Sequence, residues 1–140
     1  MAVQIAEIMG PVKAGRRTKD LVKRLNPGDI AFIRHSDLDA TAARALAECG
    51  VAAVINAVRS VSGRYPNRGP RVLLDFKIPL FDCAGAEAFE YSLNNDGERC
   101  IVRDGCLVFK HHSFNAELVN ESVLTEQLAA AKQNLHVELQ

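Results

Sequence analysis

The chain has 140 residues, with 17 Lys or Arg against 17 Asp or Glu and a formal net charge of zero. That length suits one domain with a real core, and the balance argues against a nucleic-acid binder working by bulk electrostatics. No run of about 18 apolar residues is present to cross a membrane, and Glu7 interrupts the first apolar stretch, so no signal peptide is expected.

Residues 1–12 read as a leader that adds an edge strand. Residues 18–25 read as a short amphipathic helix. Leu21, Val22 and Leu25 fall at helical spacing, with Thr18 as its cap. Asn26-Pro27-Gly28 stops it. The run Ile30, Ala31, Phe32, Ile33 within residues 29–34 is continuously apolar, as in a strand covered on both faces. Asp37 or Asp39 then caps an alanine-rich helix that ends near Cys49, with Gly50 as its closing residue. Residues 51–56 (VAAVIN) form a second buried strand. Strand, helix and strand within some 30 residues predict a βαβ unit, parallel and right-handed.

A polar loop covers residues 57–69. Residues 72–76 read as a short helix after Pro70, residues 78–81 as a third strand, and residues 84–93 as a weaker helix. Asp104-Gly105, between residues 99–103 and 106–110, is a hairpin signal. Cys100 and Cys106 flank that turn, from where two side chains can face each other. Cys49 and Cys83 complete the thiols. No CxxC pair or zinc-finger histidine spacing appears, so free thiols and no metal are expected. A last helix spans residues 126–139, capped by Thr125, with Leu128, Ala131, Leu135 and Leu139 on one face. It is still amphipathic at Gln140, which suggests that more chain follows.

The loop after the second parallel strand is the candidate site, because open α/β sheets bind ligands beyond the carboxyl ends of their strands. Its anion- or ligand-binding candidates are Asn56, Arg59, Ser60, Ser62, Gly63, Arg64, Tyr65, Asn67 and Arg68. Three guanidinium groups, hydroxyls and glycines before a helix start suit a phosphate or carboxylate cradle. The spacing is neither GxxxxGK[ST] nor GxGxxG. The competing reading is a long loop held by Pro66, Pro70 and its own hydrogen bonds. Lys13, Arg16, Arg17, Lys19, Lys23 and Arg24 make a basic stretch, either a solvated helix face or an anion or partner patch centred on Arg16, Arg17 and Lys19. No catalytic residue is expected. Asp37 and Asp39 read as caps, Asp75 and Asp82 as solvated edges, and His35, His111 and His112 as structural or surface groups, with a place for His35 in the same crevice as the competing reading.

Several segments in order carry a resemblance. They are Arg16-Arg17-Thr18-Lys19, Leu25-Asn26-Pro27-Gly28-Asp29-Ile30, Asp37-Leu38-Asp39, Gly50-Val51-Ala52-Ala53-Val54-Ile55-Asn56-Ala57 and Ser60-Val61-Ser62-Gly63-Arg64-Tyr65-Pro66-Asn67-Arg68-Gly69-Pro70. Together they resemble the N-terminal domain of SteA-like proteins of Gram-positive bacteria, over most of residues 10–82. The resemblance implies a longer parent, in which a thiamin pyrophosphokinase-like domain and membrane-anchoring helices follow. It implies an association with the cytokinetic ring, a cytoplasmic position for this part, and ATP with Mg as cofactors of the parent only. A more distant likeness in element order is to the swivelling phosphohistidine domains. Pro66 stands near where their histidine is expected, so phosphoryl carriage is not expected here.

The expected fold is therefore α/β. It is a βαβ-based, mostly parallel sheet flanked by helices, of the swivelling β/β/α kind, with a C-terminal hairpin and helix. One domain covers residues 1–140: a leader (1–12), the βαβ core (13–82), a hairpin subregion (83–124) and a helix (125–140) leading to an absent downstream domain. The leading functional expectation is a non-catalytic regulatory or docking module with an anion-binding loop. Its partners would be the downstream kinase-like domain or cell-division proteins. The alternatives are an accessory part of a thiamin diphosphokinase-like enzyme and an oligomerisation domain forming a homodimer.

Overall fold

The structure, a computed structural model, describes residues 7–63 and 66–139, with side chains as far as residue 134. Its strands are β1 (Ile8–Gly15), β2 (Ile30–Ile33), β3 (Ala53–Asn56), β4 (Leu80–Asp82), β5 (Arg99–Arg103), β6 (Cys106–Val108), β7 (Ser113–Asn115) and β8 (Glu117–Leu118). The helices are α1 (Thr18–Leu21), extended by a 3-10 turn over Val22–Arg24, then α2 (Ala40–Glu48), α3 (Gly69–Asp75), α4 (Ala86–Asn94) and α5 (Glu121–Leu139). All strands join one mixed sheet in the order β7-β6-β5-β1-β2-β3-β4-β8. The pairs from β1 to β4 are parallel. The flanking pairs are antiparallel.

The expected βαβ unit is β2–α2–β3. Its helix starts where Asp39 accepts the Ala42 N–H at 2.7 Å, and Gly50 follows its end at φ +72°. The expected hairpin is β5–β6. Asp104 and Gly105 both take positive φ, as a two-residue turn that follows strand twist requires.

Other elements differ from expectation. The leader is not an edge: β1 lies inside the sheet, parallel to β2 and antiparallel to β5. Small residues allow this, since Gly10 approaches the Gly28 carbonyl so closely that a Cβ would sit 2.5 Å from it. Residues 1–6 lie outside the described residues. Thr18 does not cap α1. Its hydroxyl bonds the His35 ring instead. The last helix begins at Glu121, where Asn120 accepts the Val123 N–H at 2.9 Å, while the Thr125 hydroxyl turns back to Glu121 O. The side chains of Leu135 and Leu139 lie outside the described residues. Cys100 and Cys106 do not face each other, because Cys106 pairs with Arg103 and Cys100 with Gly10. All four thiols are free.

Only Ala116 separates the two edge strands β7 and β8, so the sheet curls back on itself. The Ala116 N–H donates to Gly105 O at 2.7 Å, tying the curl to the hairpin turn. Alternation along each strand then splits the core in two. Phe32, Ile55, Phe81, Cys100 and Leu107 face inward with α4, where Phe32 and Phe89 meet edge to face at 5.4 Å. Ile33, Val54 and Leu80 face the other side, where they pack with Leu21 of α1, Leu46 of α2, Leu73 of α3 and Leu124 of α5. Burial in the first cluster pushes the Cys100 thiol up to about 12, which keeps it protonated and inert.

The start of α3 is fitted tightly to the segment before α2. Gly69 N donates to Leu38 O at 3.1 Å, and a Cβ on Gly69 would lie 2.2 Å from that oxygen. Gly69→Ala should therefore destabilise the fold by about 1–3 kcal/mol, read as a shift in the chemical-denaturation midpoint. A variant as stable as the parent would show that the two segments are not in contact.

Candidate functional site

The carboxyl ends of β2, β3 and β4 are held together by a buried polar chain. Asn56 ends β3 and is fully buried. Its Oδ1 accepts the N–H groups of His35 and Val58, each at 3.2 Å, and its Nδ2 donates to His35 O and Ser60 Oγ, each at 2.9 Å. Ser60 is also fully buried. Its N–H donates to Asp82 Oδ2 at 3.0 Å and its hydroxyl to Asp82 Oδ1 at 2.7 Å. Asp82, expected as a solvated edge, is 1% exposed. Burial pushes its carboxyl above the ordinary value, against the pull of the Ser60 bonds; Glu117 adds to the rise and Arg59 opposes it.

A second clamp lies outside this chain. Asp37 has φ +54° and does not cap α2; its carboxylate accepts the Ser62 N–H and hydroxyl, both at 2.8 Å. The Leu38 N–H donates to Ser60 O at 2.9 Å, and Asn134 of α5 donates to Gly63 O at 2.9 Å. The first half of the loop is thus fixed from three sides.

The expected binding residues fall into different roles. Asn56 and Ser60 form the buried base, while Ser62 and Gly63 are tied to neighbouring elements. Arg64 and Tyr65 lie outside the described residues. Arg59 is exposed and stands beside Asp82 and Cys83. Arg68 is exposed on the α3–α5 side, where it lines a cavity of about 270 Å³ with Pro66, Arg71, Leu128 and Lys132. Asn67, between them, is half-buried. Cys83 was not singled out by sequence. Burial raises its thiol above the ordinary value although Arg59 offsets part of the rise, so it is no activated nucleophile.

The basic stretch divides as well. Lys13 pairs with buried Asp29 at 2.9 Å, Arg24 donates to Ala14 O at 2.6 Å and to Asp96 at 3.1 Å, and Arg16 meets Glu90 at 3.4 Å. Arg17 and Lys19 instead line a cleft of about 520 Å³ between α1 and α2, together with His35. Thr18 Oγ1 lies 3.0 Å from His35 Nδ1. His111 and His112 are exposed, and His112 stacks beside Phe114. Among the described residues, no group of three His, Cys, Asp or Glu is placed to hold a metal, and no helix is long and apolar enough to cross a membrane.

No family model matches the sequence, and no curated protein matches it either. Among solved structures, the chain is similar to a 3-isopropylmalate dehydratase (leuD) of Methanocaldococcus jannaschii. The TM-score is 0.53 at 13% identity, over 96% of this chain and 98% of that one. The fold is of the swivelling β/β/α kind. At that identity the likeness speaks for the fold alone.

Asp82 gives two tests. Its folded value is raised, so ionisation is disfavoured in the native state. Stability should fall as pH rises from the ordinary carboxylate range through the raised value. Asp82→Asn should flatten that slope in denaturation curves taken from acid to neutral pH. Asp82→Ala leaves the Ser60 N–H and hydroxyl without an acceptor and should cost about 1–3 kcal/mol. An Asp82→Ala chain of unchanged stability would mean that the carboxylate is not buried as described.

Proposed function

We propose that the chain is a non-catalytic regulatory or docking module, which takes a phosphate-bearing ligand or partner group at the loop over residues 56–68. The observation that carries this reading is the anchoring of the loop. The Asn56–Ser60–Asp82 chain and the Asp37–Ser62 clamp fix its base, while Arg59 and Arg68 stay exposed. A guanidinium on a preordered base loses less entropy on binding than one on a free loop. The buried polar groups are spent on each other, and the one nearby thiol is held protonated, which suits binding better than bond-making chemistry.

The ordered motifs over residues 10–82 support placing the module in a SteA-like parent, beside a thiamin pyrophosphokinase-like domain and on the cytoplasmic side of a membrane. ATP and Mg would then belong to the parent's next domain. Titration with inorganic phosphate, ATP and thiamin diphosphate, followed by backbone amide shifts, tests the site. At least one probe should move residues 57–63, and Arg59→Ala or Arg68→Ala should weaken that probe by about tenfold. Three probes that leave the loop unmoved would sink the proposal.

One observation favours a homodimer as a second reading. Met9, Ile101 and Val108 lie opposite one another across β1, β5 and β6, and Met9 and Val108 are 55% and 38% exposed. Two such rows facing each other would remove apolar surface from water. Light scattering should then show a dimer that Val108→Glu converts to a monomer. A wild-type chain that stays monomeric at high concentration removes this reading.

A further inference from the structure

We infer that the cleft between α1 and α2 is a separate binding site, for a small organic anion with an apolar body. The cleft shares no residue with the loop over residues 57–68, so this inference stands apart from the function proposed above. Its volume, about 520 Å³, falls in the range of small-molecule sites.

The cleft exists because its walls are made of small side chains. Half-buried Ala42 and Ala45 of α2 face half-buried Val22 across the gap. Longer residues at the two alanines would close it. These groups give the cleft an apolar wall. The rim is cationic, since Arg17 and Lys19 are exposed there and, among the described residues lining the cleft, Asp39 alone is a carboxylate. One oxygen of Asp39 is already used by the Ala42 N–H at the start of α2. An apolar wall under a net positive rim is complementary to a molecule that is apolar at one end and anionic at the other.

His35 supplies the directional group. Asn56 fixes its main chain through both the N–H and the C=O. The Thr18 hydroxyl, on a buried residue, holds its ring at Nδ1. When that hydroxyl donates to Nδ1, the ring proton sits on Nε2. In that tautomer the Nε2 N–H lies 4.0 Å from Asp39 Oδ2, outside hydrogen-bond distance, and is the ring donor that a ligand oxygen in the cleft would take. Ring and main chain are both set before any ligand arrives, which is the condition for a site with little ordering cost.

The test uses the 140-residue chain and two probes, benzoate and phenyl phosphate. Inorganic phosphate serves as the charge-only control and benzyl alcohol as the apolar-only control. Either anionic probe should shift the His35 ring protons and the Val22, Ala42 and Ala45 methyls in a saturable way, and should exceed both controls. The tighter of the two tells carboxylate from phosphate. Lys19→Ala should weaken binding by about tenfold, and Ala45→Leu should abolish it by filling the cleft. The inference is overturned if neither probe gives saturable shifts there, or if both variants bind as the parent does. It is also overturned if the shifts fall only on residues 57–63, an outcome that would support the loop as the sole anion site.

Discussion

A carboxylate that leaves water must find donors inside the protein, and Asp82 finds both of its donors on Ser60. That demand shapes everything at the top of the parallel strands. Ser60 is drawn into the core, its hydroxyl becomes the acceptor for Asn56, and Asn56 in turn dictates the path of the chain through His35. Three separate crossovers are locked to one another through a single chain of hydrogen bonds. A cavity lined with apolar groups would pack there at lower desolvation cost, but it would not specify one loop conformation. The polar chain trades stability for definition of one loop conformation.

The parallel core was readable because burial on both faces leaves an uninterrupted apolar signature, as in Ile30–Ile33 and in VAAVIN. The Asp-Gly turn was readable because its φ angles restrict the residues that fit. The interior place of β1, expected as an edge strand, was hidden for the opposite reason. Gly10, Pro11 and Gly15 weaken strand propensity, and Lys13 breaks the apolar pattern, yet its ammonium is satisfied by Asp29 and Arg24 O. Asp82 looked like a solvated edge because one sequence shows no partner 22 residues away. That a loop joins β3 to α3 was legible along the chain. Which of its side chains turn inward was not legible, because Asn and Ser serve equally as ligand contacts and as internal braces.

The basic stretch shows how a run of like charge loses its apparent unity once folded. Lys13 and Arg24 act as cross-links to neighbouring backbone and carboxylates. Arg16 leans across to α4 through Glu90. What remains facing a cavity is Arg17 and Lys19, a smaller and more local field than the sequence count suggests.

The curl of the sheet limits how this domain meets other molecules. Its outermost strands are three and two residues long, and a single alanine links them. A visiting peptide that extends a sheet needs a straight, unpaired border of several residues, and none of that length is offered by these two strands. Main-chain pairing has little border to use at these two strands. A partner of the kind proposed above would then be selected by side-chain chemistry, and a change of partner would be written in single substitutions on the loops and helix faces, with the curled sheet left as it is.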